Sequence, residues 1–186
     1  MSFEVQEIEV KYRVFDGPAL EAALAGRGIV LSAPVRQDDQ AFAPEGWAYG
    51  QSKLGVPFAR LRTQDGRHLF TVKTPVANEQ ACLEQETVVE DREQMHRALL
   101  TMGFRPTVRI VKERRTARLA ELGGVSVCVD EVAHVGLFVE FESVIAAESG
   151  ETAQRELDQL ARSLGVELER TSDTYDSLVR AALIPS

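Results

Sequence analysis

A chain of 186 residues with 44% hydrophobic and 27% charged content holds enough apolar material for one independently stable domain, read here as residues 1–186. Its formal net charge of −8 argues against nucleic-acid or membrane-surface partners, both of which select a basic surface, but leaves room for a local cationic cluster around a phosphate ligand. Cys82 and Cys128 lie in strand-like apolar runs with neither a metal-ligand spacing nor a disulfide framework, so buried free thiols in a reducing compartment are expected. Residues 1–15 lack a basic start followed by an apolar stretch, and no run approaches the length of a membrane span, so the expectation is a soluble cytoplasmic protein.

Along Val5 to Val14, strand alternation puts Glu7, Glu9 and Lys11 on one face and Ile8, Val10, Tyr12 and Val14 on the other. Two residues of strand rise separate the carboxylates of Glu7 and Glu9 by about 6–7 Å. Asp16-Gly17-Pro18 then starts a helix that carries Leu20 and Leu24 on one face and stops at Gly26 or Gly28. Residues 29–42 read as extended and residues 43–57 as a loop, with Trp47 and Tyr49 either covering a pocket or packing the loop on the body. Asp65-Gly66 between two alternating runs signals a hairpin: Arg60 and Arg62 share a face before it, Thr71 and Lys73 a face after it.

Leu83 to Val89 follows as a strand with Glu84 and Glu86 on one face, and Asp91 caps a helix whose Met95, Leu99 and Met102 read as core. Thr107 to Leu119 is a long strand bearing Lys112 and Arg114. Gly123-Gly124 turns it into Val125 to Val132, where Ser126, Cys128 and Asp130 oppose Val125, Val127 and Val129. Leu137 to Val144 presents Phe138, Glu140 and Glu142 on one face. An amphipathic helix over 149–165 and a short one over 174–183 complete the reading, with His68, His96 and His134 given surface roles. About eight strands joined mostly by hairpins predict an α+β protein whose antiparallel strands close into a barrel.

Charged or polar residues at i and i+2 recur on six of these strands. Such a pattern is the ordinary signature of a solvated sheet face. Turned inward, the same faces would line a channel carrying both signs of charge, which only pairing, water, metal or ligand could stabilise. The residue pattern alone leaves both arrangements open.

The set Glu7-x-Glu9-x-Lys11, Arg60-Leu61-Arg62, Thr71-Val72-Lys73, Glu84-x-Glu86, Lys112-x-Arg114, Asp130 and Glu140-x-Glu142 resembles the ordered motifs of the CYTH superfamily, also called triphosphate tunnel metalloenzymes. Its members include class IV adenylyl cyclases, thiamine and inorganic triphosphatases and fungal RNA triphosphatases. The likeness spans nearly the whole chain, to Thr174-Tyr175, and implies an eight-stranded antiparallel tunnel with flanking helices and inward-facing charges. It implies divalent metal, Mg²⁺ or Mn²⁺, on Glu7, Glu9, Glu140 and Glu142, and triphosphate on Lys11, Arg60, Arg62, Lys73, Lys112 and Arg114. Lys11, Glu9 and Asp130 stand as catalytic candidates, and Glu84 and Glu86 serve a second metal or balance the cations. Many relatives place an arginine ahead of the Glu84 pair where this chain has Ala81, Cys82 and Leu83. The layout around Gln37-x-Asp39-x-x-Phe42 and Gly136-x-Phe138-Val139-Glu140 is most similar to class IV adenylyl cyclases acting on ATP. An inorganic or thiamine triphosphatase is the alternative reaction, and a non-catalytic triphosphate- or polyphosphate-binding module the alternative class. Several relatives are homodimers.

Overall fold

The computed structural model describes residues 5–146 and 150–184. In chain order the elements are β1 (Val5–Val14), α1 (Gly17–Ala25), β2 (Val35–Pro44), β3 (Phe58–Gln64), β4 (Arg67–Asn78), β5 (Ala81–Val89), α2 (Arg92–Thr101), β6 (Phe104–Leu119), β7 (Val125–Val132), β8 (Gly136–Ala146), α3 (Gly150–Ser163), β9 (Leu168–Thr171) and α4 (Tyr175–Leu183). Hydrogen-bonded neighbours run β5-β4-β3-β2-β6-β7-β8-β1, and β1 also pairs with β5, so eight antiparallel strands close on themselves. Closure removes the unpaired edges that an open sheet would expose. The seam is short. β1 gives β5 only Gln6 to Ile8, then offers the same edge to β9 from Lys11 to Val14.

Local chemistry accounts for the turns and caps. Asp65 and Gly66 hold φ of 49° and 71°, the pair of left-handed conformations that a two-residue hairpin between twisted strands requires. The carboxylates of Asp16 and Asp91 accept hydrogen bonds from the backbone N–H groups of Ala19 and Gln94, at 2.9 and 3.0 Å, and so satisfy first-turn donors of α1 and α2.

The apolar faces of the strands look outward, under the helices. Ile8, Val10, Tyr12 and Val14 of β1 pack with Val127, Val139 and Phe141 against Leu20 and Leu24 of α1 and Leu157 and Ala161 of α3. Each such side chain contributes roughly 1.5–3 kcal/mol on burial, so the β1 face alone is comparable with the net stability of a domain. That face cannot be given to water, and alternation then forces Glu7, Glu9 and Lys11 inward. A second cluster seats Leu99 of α2 on Phe42, Ala59 and Leu61. A third is different in kind: Tyr175 and Val179 of α4 pack on Val108, Ile110, Val132 and Phe138. Phe138 shares its face with Glu140 and Glu142, so α4 closes over one end of the barrel interior rather than lying along its outside.

Several boundaries differ from those expected. β2 begins at Val35 rather than residue 29, since Pro34 has no N–H to give a ladder and Val30 is 82% exposed. β2 also reaches Pro44, and β6 starts at Phe104, because the two strands pair on past the expected loop boundary. β4 continues to Asn78 through a register break after Pro75. Met102 is 59% exposed and not core, because α2 ends at Thr101 and the chain turns away at Gly103. β9 was not anticipated; four residues carry too little alternation to register. Ser149, read as the start of the amphipathic helix, lies outside the described residues. No helix among the described residues is long and apolar enough to cross a membrane.

Candidate functional site

The barrel encloses a cavity of about 360 Å³. Alternation brings Glu7, Glu9 and Lys11 of β1, Arg60 and Arg62 of β3, Lys73 of β4, Glu84 and Glu86 of β5, Lys112 and Arg114 of β6, and Glu140 and Glu142 of β8 to its wall. Of the candidate catalytic, metal and phosphate residues taken from the sequence, all among the described residues, Asp130 alone is not part of its lining.

Glu9, Glu140 and Glu142 each offer one carboxylate oxygen within 4.8 Å of the others. Strand register does this: β1 meets β8 with Glu9 opposite Glu142 and Lys11 opposite Glu140. The Lys11 ammonium lies 3.3 Å from both Glu9 and Glu140 and donates to the backbone carbonyl of Asp173 at 3.2 Å. Arg114 contacts Glu140 and lies 3.4 Å from Glu142. Burial, with Glu140, Glu7 and Glu9 adding to it and Arg114 opposing it, pushes the Glu142 carboxyl up to about 8. Burial would do the same to Glu140, but Lys11, Arg114 and Lys112 outweigh it and hold that carboxyl well below the usual carboxylate range. Three converging oxygen donors form a set that a hard divalent cation can use. Glu7 stands apart from this trio, with its carboxylate 2.5 Å from the Lys73 ammonium.

The facing strands are arranged pair by pair. Arg62 donates to both oxygens of Asp39 at 2.8 Å, with both side chains buried. Arg60 reaches Thr71 at 3.1 Å, Glu86 at 3.3 Å and Glu84 at 3.9 Å, and Lys73 lies 2.6 Å from Glu84. Glu84 and Glu86 are therefore counter-ions to Lys73 and Arg60. Burial opposes ionisation of Glu84, yet Lys73 and Arg60 hold its carboxyl below the ordinary value.

Asp130 shares the inward face of β7 with Cys128 and is fully buried. Its carboxylate accepts from Lys112 at 3.1 Å, from Arg114 at 2.7 and 2.5 Å, and from the Tyr175 hydroxyl at 2.9 Å. Those donors tie Asp130 to two cations of the wall and to the first residue of α4. Lys112 has its pKa lowered, first by burial and then by Arg114.

Both cysteines are free and buried, but on the inner face. Cys82 borders the cavity, and Cys128 Sγ lies 3.6 Å from a Glu142 oxygen. At the α4 end the cavity is lined by Trp47, Phe58, Ala41, Ala43 and Ile110. Trp47 packs edge-on against Tyr49 and Phe58, at 5.0 and 4.9 Å between ring centroids, so the loop both packs on the body and covers the cavity. Lys53 in the same loop is a wall residue that sequence reasoning missed. It is 7% exposed and reaches Thr174 at 2.6 Å, Ser177 at 3.0 Å and Glu79 at 3.3 Å. A single lysine in a Gly- and Ser-containing loop gives no pattern that could have marked it. His134 is exposed as expected, whereas His68 and His96 are half-buried, against Thr63 and Phe42 respectively.

Comparison with solved structures supports the fold. The PH1819 protein of Pyrococcus horikoshii OT3 is similar at a TM-score of 0.77 and 21% identity, covering 94% of this chain and 98% of that one. A candidate adenylate cyclase from Vibrio parahaemolyticus matches at 0.74 and 20%, covering 94% and 97%. A candidate adenylyl cyclase from Hippeastrum, described as having a dominant triphosphatase activity, matches at 0.61 and 16%, covering 97% and 98%. Comparison with curated proteins finds no match. The CYTH domain matches residues 5–175, which takes in every strand of the barrel and each charged side chain those strands bring to the cavity wall. With that span matched, the chain belongs to the CYTH domain family.

Proposed function

We propose that this protein is a divalent-metal-dependent enzyme that takes a nucleoside triphosphate into its tunnel and converts ATP to cyclic AMP and pyrophosphate, as class IV adenylyl cyclases do. One observation carries the reading: a single cavity joins a carboxylate trio, a wall of guanidinium and ammonium groups, and an aromatic end at Trp47 and Phe58. A bare inorganic triphosphate has no use for the aromatic end, whereas a base and ribose would bury apolar surface there.

Glu9, Glu140 and Glu142 would hold Mg²⁺ or Mn²⁺, and Glu7, two residues along β1 and paired with Lys73, is the fourth candidate ligand. Bound there, the ion would supply Lewis acidity to the reacting oxygens. Arg60, Arg62, Lys73, Lys112 and Arg114 bind the phosphate oxygens, Arg62 and Arg114 through the N–H donors that their forks to Asp39 and Asp130 leave over. They also neutralise charge that builds on the leaving phosphates. Lys11, held between Glu9 and Glu140, contacts the phosphate chain or orients the attacking hydroxyl. Asp130 acts through Lys112 and Arg114, and Glu84 and Glu86 keep the opposite wall neutral until phosphate displaces them.

The same groups serve hydrolysis if water rather than the ribose hydroxyl attacks, and the triphosphatase activity described for the Hippeastrum protein of the same fold favours keeping that second reading. Purified protein incubated with ATP, tripolyphosphate and thiamine triphosphate under Mg²⁺ or Mn²⁺ separates the outcomes. Cyclic AMP with pyrophosphate supports the cyclase and orthophosphate the hydrolase. Tight metal-dependent binding without turnover of any of the three would make the protein a binding module.

A further inference from the structure

We propose that Tyr175, the first residue of α4, is the positioning residue for the two tunnel lysines, Lys11 and Lys112. The inference rests on the reading that these lysines hold a triphosphate. The Lys11 ammonium lies 4.2 Å from the centroid of the Tyr175 ring, and the Lys112 ammonium lies 4.5 Å from the same centroid. Both distances are well inside the range in which an aromatic face attracts a cation, and the attraction is strongest where water is excluded. Lys11 is 2% exposed and Lys112 4%.

Packing alone would account for an apolar ring here, since Tyr175 stands edge-on to Phe138 at 5.4 Å and joins Val179 in the cluster that closes the barrel end. Packing does not account for the hydroxyl. It donates to Asp130 at 2.9 Å, and Asp130 in turn holds Lys112 and Arg114. One side chain thus reaches two ammonium groups through its face and a guanidinium through its hydroxyl and one buried carboxylate. The same turn of chain supplies the Asp173 carbonyl that accepts from Lys11.

The physical need is clear from the wall itself. Lys112 sits beside Arg114 and Arg62, whose charges work with burial to lower its pKa. Lys11 is held by Glu9, Glu140 and the Asp173 carbonyl, and Lys112 by Asp130. A ring presented to both adds a neutral partner that attracts each ammonium without consuming a further N–H donor, and so fixes where the two cations stand relative to each other. The docking of α4 thereby sets the geometry of the phosphate site, although Tyr175 itself need not touch the reacting atoms.

The test compares Tyr175→Phe with Tyr175→Leu in the full chain, titrating tripolyphosphate calorimetrically in the presence of Mg²⁺ and following thermal melting in parallel. Tyr175→Phe keeps the aromatic face and should bind within about threefold of the unsubstituted protein. Tyr175→Leu keeps apolar volume but loses the face and should bind about tenfold more weakly. If the leucine variant melts below the assay temperature, Tyr175→Met supplies the same comparison with a more adaptable side chain. Equal affinity of the leucine (or methionine) variant and the unsubstituted protein would overturn the role, as would a phenylalanine variant as weak as the leucine one. Failure of the unsubstituted protein to bind tripolyphosphate would instead remove the triphosphate reading, and this role with it.

Discussion

On one side of the tunnel, β1 lies against β8 with Glu9 opposite Glu142, and Lys11 and Arg114 thread between the carboxylates. On the other side, β2 lies against β3 with Asp39 opposite Arg62, and β4 against β5 with Lys73 opposite Glu84. The two walls are built from the same alternating charged motif, yet register makes one a place where like charges meet and the other a set of closed ion pairs. Directly opposed like charges destabilise a sheet, by up to about 1 kcal/mol a pair, so the Glu9–Glu142 pair depends on Lys11 and Arg114 beside it, whereas Asp39 and Glu84 each face their own counter-charge. Two carboxyls report the difference. Burial and its acidic neighbours push Glu142 up to about 8, whereas Lys73 and Arg60 overcome burial to hold Glu84 low. What sets the first wall apart is convergence: Glu9, Glu140 and Glu142 bring three carboxylate oxygens together, whereas Asp39 and Glu84 each stand across from a cation.

The sharpest way to break that contrast is at the closed pairs. Arg62→Ala leaves Asp39, 3% exposed, as a buried carboxylate without its fork, and should cost about 3–5 kcal/mol in chemical denaturation. Adding Asp39→Ala should recover much of the loss, and no recovery would mean that the pair is not the unit described. At the open wall, Glu9→Gln should reduce metal-dependent turnover by at least about 100-fold while changing stability little. Glu84→Gln should reduce it by no more than about tenfold, because Glu84 is paired with Lys73 and Arg60 and lies outside the carboxylate trio. Equal losses in the two variants, measured over a full metal titration, would erase the distinction between the walls.

Acid titration offers a third probe. Arg62 and Arg60, working against burial, lower the Asp39 carboxyl from 3.8 to about 2. The folded value lies below the unfolded one, so the stabilisation is fully present above about pH 4 and is lost as pH falls through about 2. The shift corresponds to roughly 2–3 kcal/mol, and the stability gap between the unsubstituted protein and Asp39→Asn should close by that amount across the window. A gap independent of pH would remove the ionised pair from the account. The smallest effect is expected at the rim. Glu86 is 40% exposed and Arg60 retains Glu84, so Glu86→Gln should change stability by less than about 1 kcal/mol.

Much of this was legible in the sequence because alternation is local. Glu9 and Lys11, Arg60 and Arg62, and Glu140 and Glu142 share faces for no reason beyond the geometry of an extended chain. Asp65-Gly66 announced its hairpin, and Asp16 and Asp91 their helices, by equally local chemistry. Glu7 was grouped with Glu9, Glu140 and Glu142, but the structure sets it on Lys73, since β1 crosses to β5 just there. Asp130 entered as a residue that could ligate metal or position a ligand residue, and the structure pairs it with Lys112 and Arg114. Lys53 went unremarked and Tyr175 entered only as part of a family ending, because neither belongs to an alternating pair.

By itself, then, the sequence determined which side chains travel together on each strand, where most turns fall, and that one face of each strand is apolar. Tertiary structure decided which face looks inward and which charges become neighbours. The apolar faces found helices to cover them on the outside, and that left the charged faces to the interior. Neighbours depend on register, barrel closure and helix docking, all of which join residues far apart in the chain. Lys11 meets Asp173 across 162 positions, and spacing within one strand carries no information about such a contact.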